Sequence, residues 1–168
     1  MSPGKVLSNF KKELGADFHS YLNHVKRVYE YACMLRLERE SELFQVAAIF
    51  HDLDIWVTGT MNYLGGSCDL AISHIQKNKL EIDQAELAKI ISNHHRMTKV
   101  KDHPEAEAFR KADLIDLTAG WIRFNIPKSI IVDTERRYPR LGFTKSVLKK
   151  TGRWAVKHPF NPFPMIKI

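Results

Sequence analysis

The tightest constraint in this sequence is where histidine and aspartate fall relative to apolar residues of helical period. Five successive segments between residues 17 and 120 repeat apolar side chains every three or four positions, and each carries a candidate metal ligand beside its stripe. In the first, Tyr21, Val25, Val28, Ala32 and Leu35 form the stripe; His24 follows Tyr21 by three and precedes Val28 by four, so it shares their face. The second fits residues 41–53, with Ser41 as N-cap and Leu43, Val46, Ala47 and Phe50 inward, and His51 and Asp52 near its end. A third begins near Cys68 or Asp69, runs to about Asn78 and carries His74. The fourth covers residues 83–97, with Leu87, Ala88 and Ile91 inward and His94 and His95 late in it. Pro104 suits the first turn of a fifth, which carries Phe109, Ala112, Asp113, Asp116 and Leu117.

Between the second and third segments lies DIWVTGTMNYLGGSC, residues 54–68, rich in glycine and small polar residues. It reads as a loop, flanked by Gly59, Gly65 and Gly66, that can close over a pocket and offer Trp56 or Tyr63 to a flat ring. Residues 129–138 and 144–154 fit short helices, and the end, HPFNPFPMIKI, is expected to be extended because three prolines fall within seven residues. Strand-like alternation is scarce, so the expected class is all-α.

The chain has 168 residues, the size of a single domain over 1–168, with a core at about 17–120 and an extension at 121–168. The formal net charge of +7 is unevenly placed. Residues 1–120 hold 15 Lys/Arg against 17 Asp/Glu, whereas residues 121–168 hold 11 against 2. Arguments about anionic partners therefore belong to the extension, where Arg136, Arg137 and Arg140 are densest. It has three readings: a cover that supplies cations to the core, an attractor of nucleotide or nucleic acid, or a solvated face. Nucleic acid stays open as a partner with no motif to support it. No window approaches the roughly 18 to 20 apolar residues of a membrane span. Cys33 and Cys68 make neither a disulfide framework nor a cysteine zinc site. With no apolar run for a secretory signal in MSPGKVLSNFKKELG, a cytoplasmic setting is expected.

Imidazole and carboxylate together suit Zn, Mn, Fe, Ni or Co, and a helical bundle can aim them from separate helices at one point. Neighbouring helical residues point about 100° apart, so His51 and Asp52 can both reach an ion that sits off a helix end. A buried aspartate is costly to ionise without a cation beside it. His19, His103 and His158 have no matching partners and read as ordinary histidines.

These residues carry a resemblance. NHVKRVYEYA around His24, AAIFHDLDIW around His51 and Asp52, and RKADLIDLTAG around Asp113 resemble the H…HD…D signature of HD-domain metal-dependent phosphohydrolases. IISNHHRMT resembles the paired histidines that follow in many members, and the C-terminal tail is similar to that of a subgroup of small HD proteins. The resemblance covers most of residues 18–120. It implies an HD-domain bundle of five core helices, with additional C-terminal helices and an extended tail.

It also implies that His24, His51, Asp52 and Asp113 bind one divalent ion, with Mn, Fe, Zn, Ni, Co and Mg not distinguished. A second ion is admissible through His74, His94 and His95. Because adjacent helical residues diverge, one of His94 and His95 is expected to ligate rather than both. Asp116 is expected to be structural or to support a ligand from behind. The implied reaction is hydrolysis of a small phosphate ester, a nucleotide among the candidates, by metal-activated water. Asp52 would be ligand and water acceptor, Asp54 a general acid or base, and Arg96 and Lys99 cations for the substrate phosphate. Ile55 stands where some members carry an acid. Two alternatives remain: a di-iron oxygenase of the HD type, favoured by joint ligation through His74 and His94 or His95, and a non-catalytic, metal-stabilised binding module.

Overall fold

The computed structural model describes residues 2–167; residues 1 and 168, the two ends of the expected domain, lie outside the described residues. Residues 3–17, unassigned from sequence, form short turns. Helix α1 (Pro3–Leu7) and α2 (Lys11–Leu14) alternate with single 3-10 turns, and Val6, Leu7 and Leu14 are buried. Asp17 ties this segment down: its Oδ2 accepts from Trp56 Nε1 at 2.9 Å and from Ser146 Oγ at 2.7 Å.

Helix α3 (Phe18–Arg36) follows from its stripe, since Tyr21, Val25, Val28 and Ala32 are wholly buried. Ser41 caps α4 (Glu42–Phe50) by accepting from Phe44 N at 3.4 Å. This helix ends at Phe50, three residues short of the expected end, and residues 51–53 are a turn. Asp83 caps α7 (Gln84–Asn93), its Oδ1 accepting from Glu86 N at 2.8 Å, and Pro104 opens α8 (Pro104–Leu117).

The loop expected over residues 54–68 needs correction. One helical turn, α5 (Asp54–Val57), begins it, and α6 (Leu64–Lys77) starts four residues earlier than the sequence suggests. The apolar stripe explains this, because Leu64, Cys68, Ala71 and Ile75 are all buried at helical spacing. Gly65 and Gly66 therefore lie in the first turn of α6, and no lid spans the whole segment.

Helix α3 packs along α8 and across α4, while α7 lies between α6 and α8. These contacts bring together the C-terminal end of α4, the turn after α7 and the inner faces of α3 and α8. Beyond the core, α9 (Lys128–Arg137) and α10 (Phe143–Lys157) lie near the expected positions. The tail is not extended throughout. Asn161 N donates to His158 O and Ile166 N to Phe163 O, so two turns form with Pro159 and Pro164 second in each, where proline presets φ. Met97 N then donates to Lys167 O at 2.8 Å, and an isolated parallel bridge joins Arg96 to Lys167. The class is all-α, with no named strand among the described residues.

Candidate metal centre

His24 leaves the middle of α3 with its ring held at both nitrogens. Nδ1 lies 2.7 Å from Asp116 Oδ2, and Nε2 lies 3.0 Å from His51 Nε2. Asp116 is ionised: burial alone would raise its pKa, but hydrogen bonds from His24 and Arg27 outweigh burial and hold it far below the usual carboxylate range. An ionised carboxylate only accepts, so His24 donates through Nδ1 and turns the Nε2 lone pair inward. His51 repeats the arrangement directly after the last residue of α4, with Nδ1 donating to Ala48 O at 2.9 Å. The two Nε2 atoms thus face each other across 3.0 Å.

Two carboxylates complete this side. Asp52 Oδ2 lies 3.8 and 3.5 Å from the Nε2 atoms of His24 and His51, and Asp113 Oδ1 lies 3.8 and 3.6 Å from the same atoms. All four groups are electron-pair donors, so the point they surround demands positive charge. Two nitrogens bound at right angles about 2.1 Å from one ion would sit about 3.0 Å apart, which matches the imidazole pair. Among the described residues His24, His51 and Asp113 offer ligand atoms close enough for one ion, as do His51, Asp52 and His94, and His94, His95 and Asp113. These buried clusters are compatible with a metal site.

The second oxygen of each carboxylate faces the other way. Asp52 Oδ1 lies 3.2 Å from His94 Nε2 and 3.9 Å from His95 Nε2, and Asp113 Oδ2 lies 3.6 Å from His95 Nδ1. His94 Nδ1 donates to Ile91 O at 2.6 Å, which again leaves an Nε2 lone pair against a carboxylate oxygen. The expectation that only one of this pair would point inward is corrected. Helix α7 ends at Asn93, so the chain is free to aim both rings, whose centres lie 4.1 Å apart, at the same carboxylates.

Electrostatics agree with this layout. Burial works against charge on His51, but Asp52 and Asp113 outweigh it and push its pKa to about 9, so a proton supplies the positive charge at His51 Nε2 until a metal ion displaces it. On His95, burial and His94 prevail and hold it down at about 4, so that ring is neutral, the form that binds a cation. Asp52 and Asp113 stay ionised, because the surrounding histidines overcome burial.

The remaining predicted residues lie elsewhere. His74 faces a separate cleft, its ring 5.1 Å from Phe50 and its backbone carbonyl accepting from Asn78 Nδ2, and it belongs to none of the ligand groups. Helix α6 carries it past the outer face of Phe50 rather than toward His51. Asp54 is buried with its carboxylate pressed on Gly66 in the first turn of α6. Burial raises its pKa. Arg96 and Lys99 follow His95 along the chain, and neither is within ion-pair distance of Asp52 or Asp113; Arg96 Nε donates to Thr98 Oγ1 at 3.0 Å.

Arg27 and Phe143, which the sequence reading passed over, and Tyr63, which it assigned to a flat ring but which is buried, build the support. Arg27, fully buried one turn after His24, donates to both Asp116 oxygens. Phe143, from α10, stacks on the His24 ring at 4.0 Å and 15°. Tyr63 places its hydroxyl 3.5 Å from His94 Nε2. Only Arg27 had a local signal, its position three after His24 on an inward face. The C-terminal extension thus reaches the cluster through Phe143 on His24 and through Arg140 on Asp116. Comparison with family models, curated proteins and solved structures returned no match.

Proposed function

We propose that this protein is a metal-dependent phosphohydrolase of the HD-domain type, built on an HD bundle of five core helices and acting on a small phosphate ester. The observation that carries the reading is the 3.0 Å approach of the His24 and His51 Nε2 atoms, flanked by Asp52 and Asp113. His24, His51, Asp52 and Asp113 would hold the first ion. When bound, a divalent ion of this kind acidifies a coordinated water and polarises a phosphoryl oxygen.

The chain's own part follows from the geometry. Arg27 and Asp116 fix the tautomer of His24, and Ala48 O fixes that of His51, so both rings are set before an ion arrives. Asp52 would serve both as a ligand and as an acceptor that orients the water. The side chain of His95 is 22% exposed whereas those of the other five cluster residues are at most 6%, so His95 marks the edge at which substrate enters. Arg96, next in the chain, is placed to meet a phosphate there.

A two-ion centre is favoured by the way Asp52 and Asp113 each offer a second oxygen to His94 and His95. An oxidative di-iron reading keeps that pair but loses His74, which lies in another cleft.

The test is reconstitution with Mn, Fe, Zn, Ni or Co, followed by phosphate release from a panel of phosphate esters. His51→Ala and Asp113→Ala are each expected to abolish ion binding and turnover together. Phosphatase activity surviving in both variants would overturn the assignment, and oxygen consumption by an iron-loaded sample would favour the oxidative reading.

A further inference from the structure

A groove of about 580 Å³ is lined by Asn93 and Arg96, which bracket His94 and His95 in the chain, together with Lys89, Lys99, Lys101 and His103. No carboxylate lines it. The adjoining cleft is different: there Arg36 is paired with Glu105 at 3.0 Å and Lys111 with Glu107 at 3.4 Å. Among the described residues no such partner lies within 4.0 Å of Lys89, Arg96, Lys99 or Lys101, and Glu86 reaches only His103. Four cations converging on one concavity repel one another until an anion enters.

The groove is also partly organised in advance. Arg96 N donates to Asn93 O at 2.9 Å, Arg96 O accepts from Arg110, and the bridge to Lys167 holds the next peptide. Val100 N donates to Glu107 Oε2 at 3.0 Å, which pins the backbone between Lys99 and Lys101. Lys99 and Lys101 therefore project from a fixed loop and Lys89 from helix α7, which lowers the ordering cost of binding. One phosphate carries about two negative charges at neutral pH, and the groove offers four cations.

We propose that the substrate carries a second phosphate group, seated in the Lys89–Lys99–Lys101 groove while the scissile phosphate meets the centre at His95. This rests on the phosphohydrolase reading for the placement of the scissile group alone. The groove selects multiply phosphorylated esters over monophosphates, and its contribution weakens with ionic strength because the lysines are exposed.

The experiment compares adenosine 5′-monophosphate with adenosine 3′,5′-bisphosphate on the metal-loaded protein, by calorimetric affinity and by phosphate release. The bisphosphate is expected to bind about 10-fold tighter at low salt, a single decade of affinity for the added anion. In Lys89→Ala/Lys101→Ala the preference should fall below about twofold; both residues are exposed, so an unchanged melting curve is expected to show that the fold is intact. Equal affinities in the native protein, or a preference unaltered in the variant, would overturn the proposal. A preference that the variant removes, with phosphate released from neither compound, would support the groove and count against the hydrolase reading.

Discussion

Arg140 places Nη2 3.4 Å from Asp116 Oδ1 and donates through Nη1 to the Asp116 carbonyl at 2.7 Å, so the basic C-terminal segment grips the carboxylate that orients His24. A chain of polar contacts runs from the surface at Glu135, through Arg140 and Asp116, to a ring of the candidate centre. Asn23 Nδ2 adds a second tie by donating to Pro139 O at 2.8 Å.

That chain predicts separable effects. Asp116→Asn leaves the fully buried Arg27 without its countercharge and is expected to cost about 3–5 kcal/mol in urea denaturation. Arg140→Gln removes a partly exposed guanidinium, costing about 1 kcal/mol or less, yet lowers ion affinity about 10-fold through His24. Competition with a chelating dye reads the affinity. An unaltered value in Arg140→Gln would mean that Asp116 holds His24 without help from the extension.

Gly66 offers a sign test. Alanine usually stabilises a helix over glycine by up to about 1 kcal/mol. At Gly65 a Cβ meets nothing within 4 Å, so Gly65→Ala should follow that rule. At Gly66 a Cβ would collide with the Asp54 carboxylate, so Gly66→Ala is expected to destabilise by about 1–3 kcal/mol. Adding Asp54→Ala should restore most of the loss. Thermal melts of the three variants check this, and equal stabilisation at both glycines would refute the contact.

Much of the centre was legible in the sequence because His24 and Asp113 sit on inward faces set by apolar neighbours, and His51 and Asp52 follow an unbroken apolar run. What failed depended on where helices stop. His94 and His95 both aim inward because α7 ends one residue before them. A Gly-Gly pair suggested a loop, yet the buried stripe from Leu64 prevailed over glycine's preference. His74 shares its helix with buried residues but faces outward past Phe50. Arg140 and Phe143 lay beyond reach, since their contacts with Asp116 and His24 join residues far apart in the chain, with no periodicity to announce them.

Glu107 sets an acid limit outside the centre. Burial would raise its pKa, but Arg110 and the Val100 amide outweigh burial and hold it at about 2. A folded pKa below the unfolded one means that the carboxylate form is stabilised. This contribution is complete above about pH 4.5 and is lost as pH falls toward 2. Glu107→Gln should remove about 2 kcal/mol at pH 6 and much less at pH 2.5, read as a smaller gap between urea midpoints. A gap of constant size across that range would contradict the assignment.

The central claim is that six side chains from four regions of the chain gather around divalent ions. Elemental analysis of protein reconstituted with Mn, Fe, Zn, Ni or Co and freed of loose ions tests it most directly. About one to two ions per chain are expected, falling to near zero in His51→Ala/Asp113→Ala while the helical circular dichroism persists. A native protein that retains no ion with any of these metals, or a double variant that binds as the native one does, would contradict it.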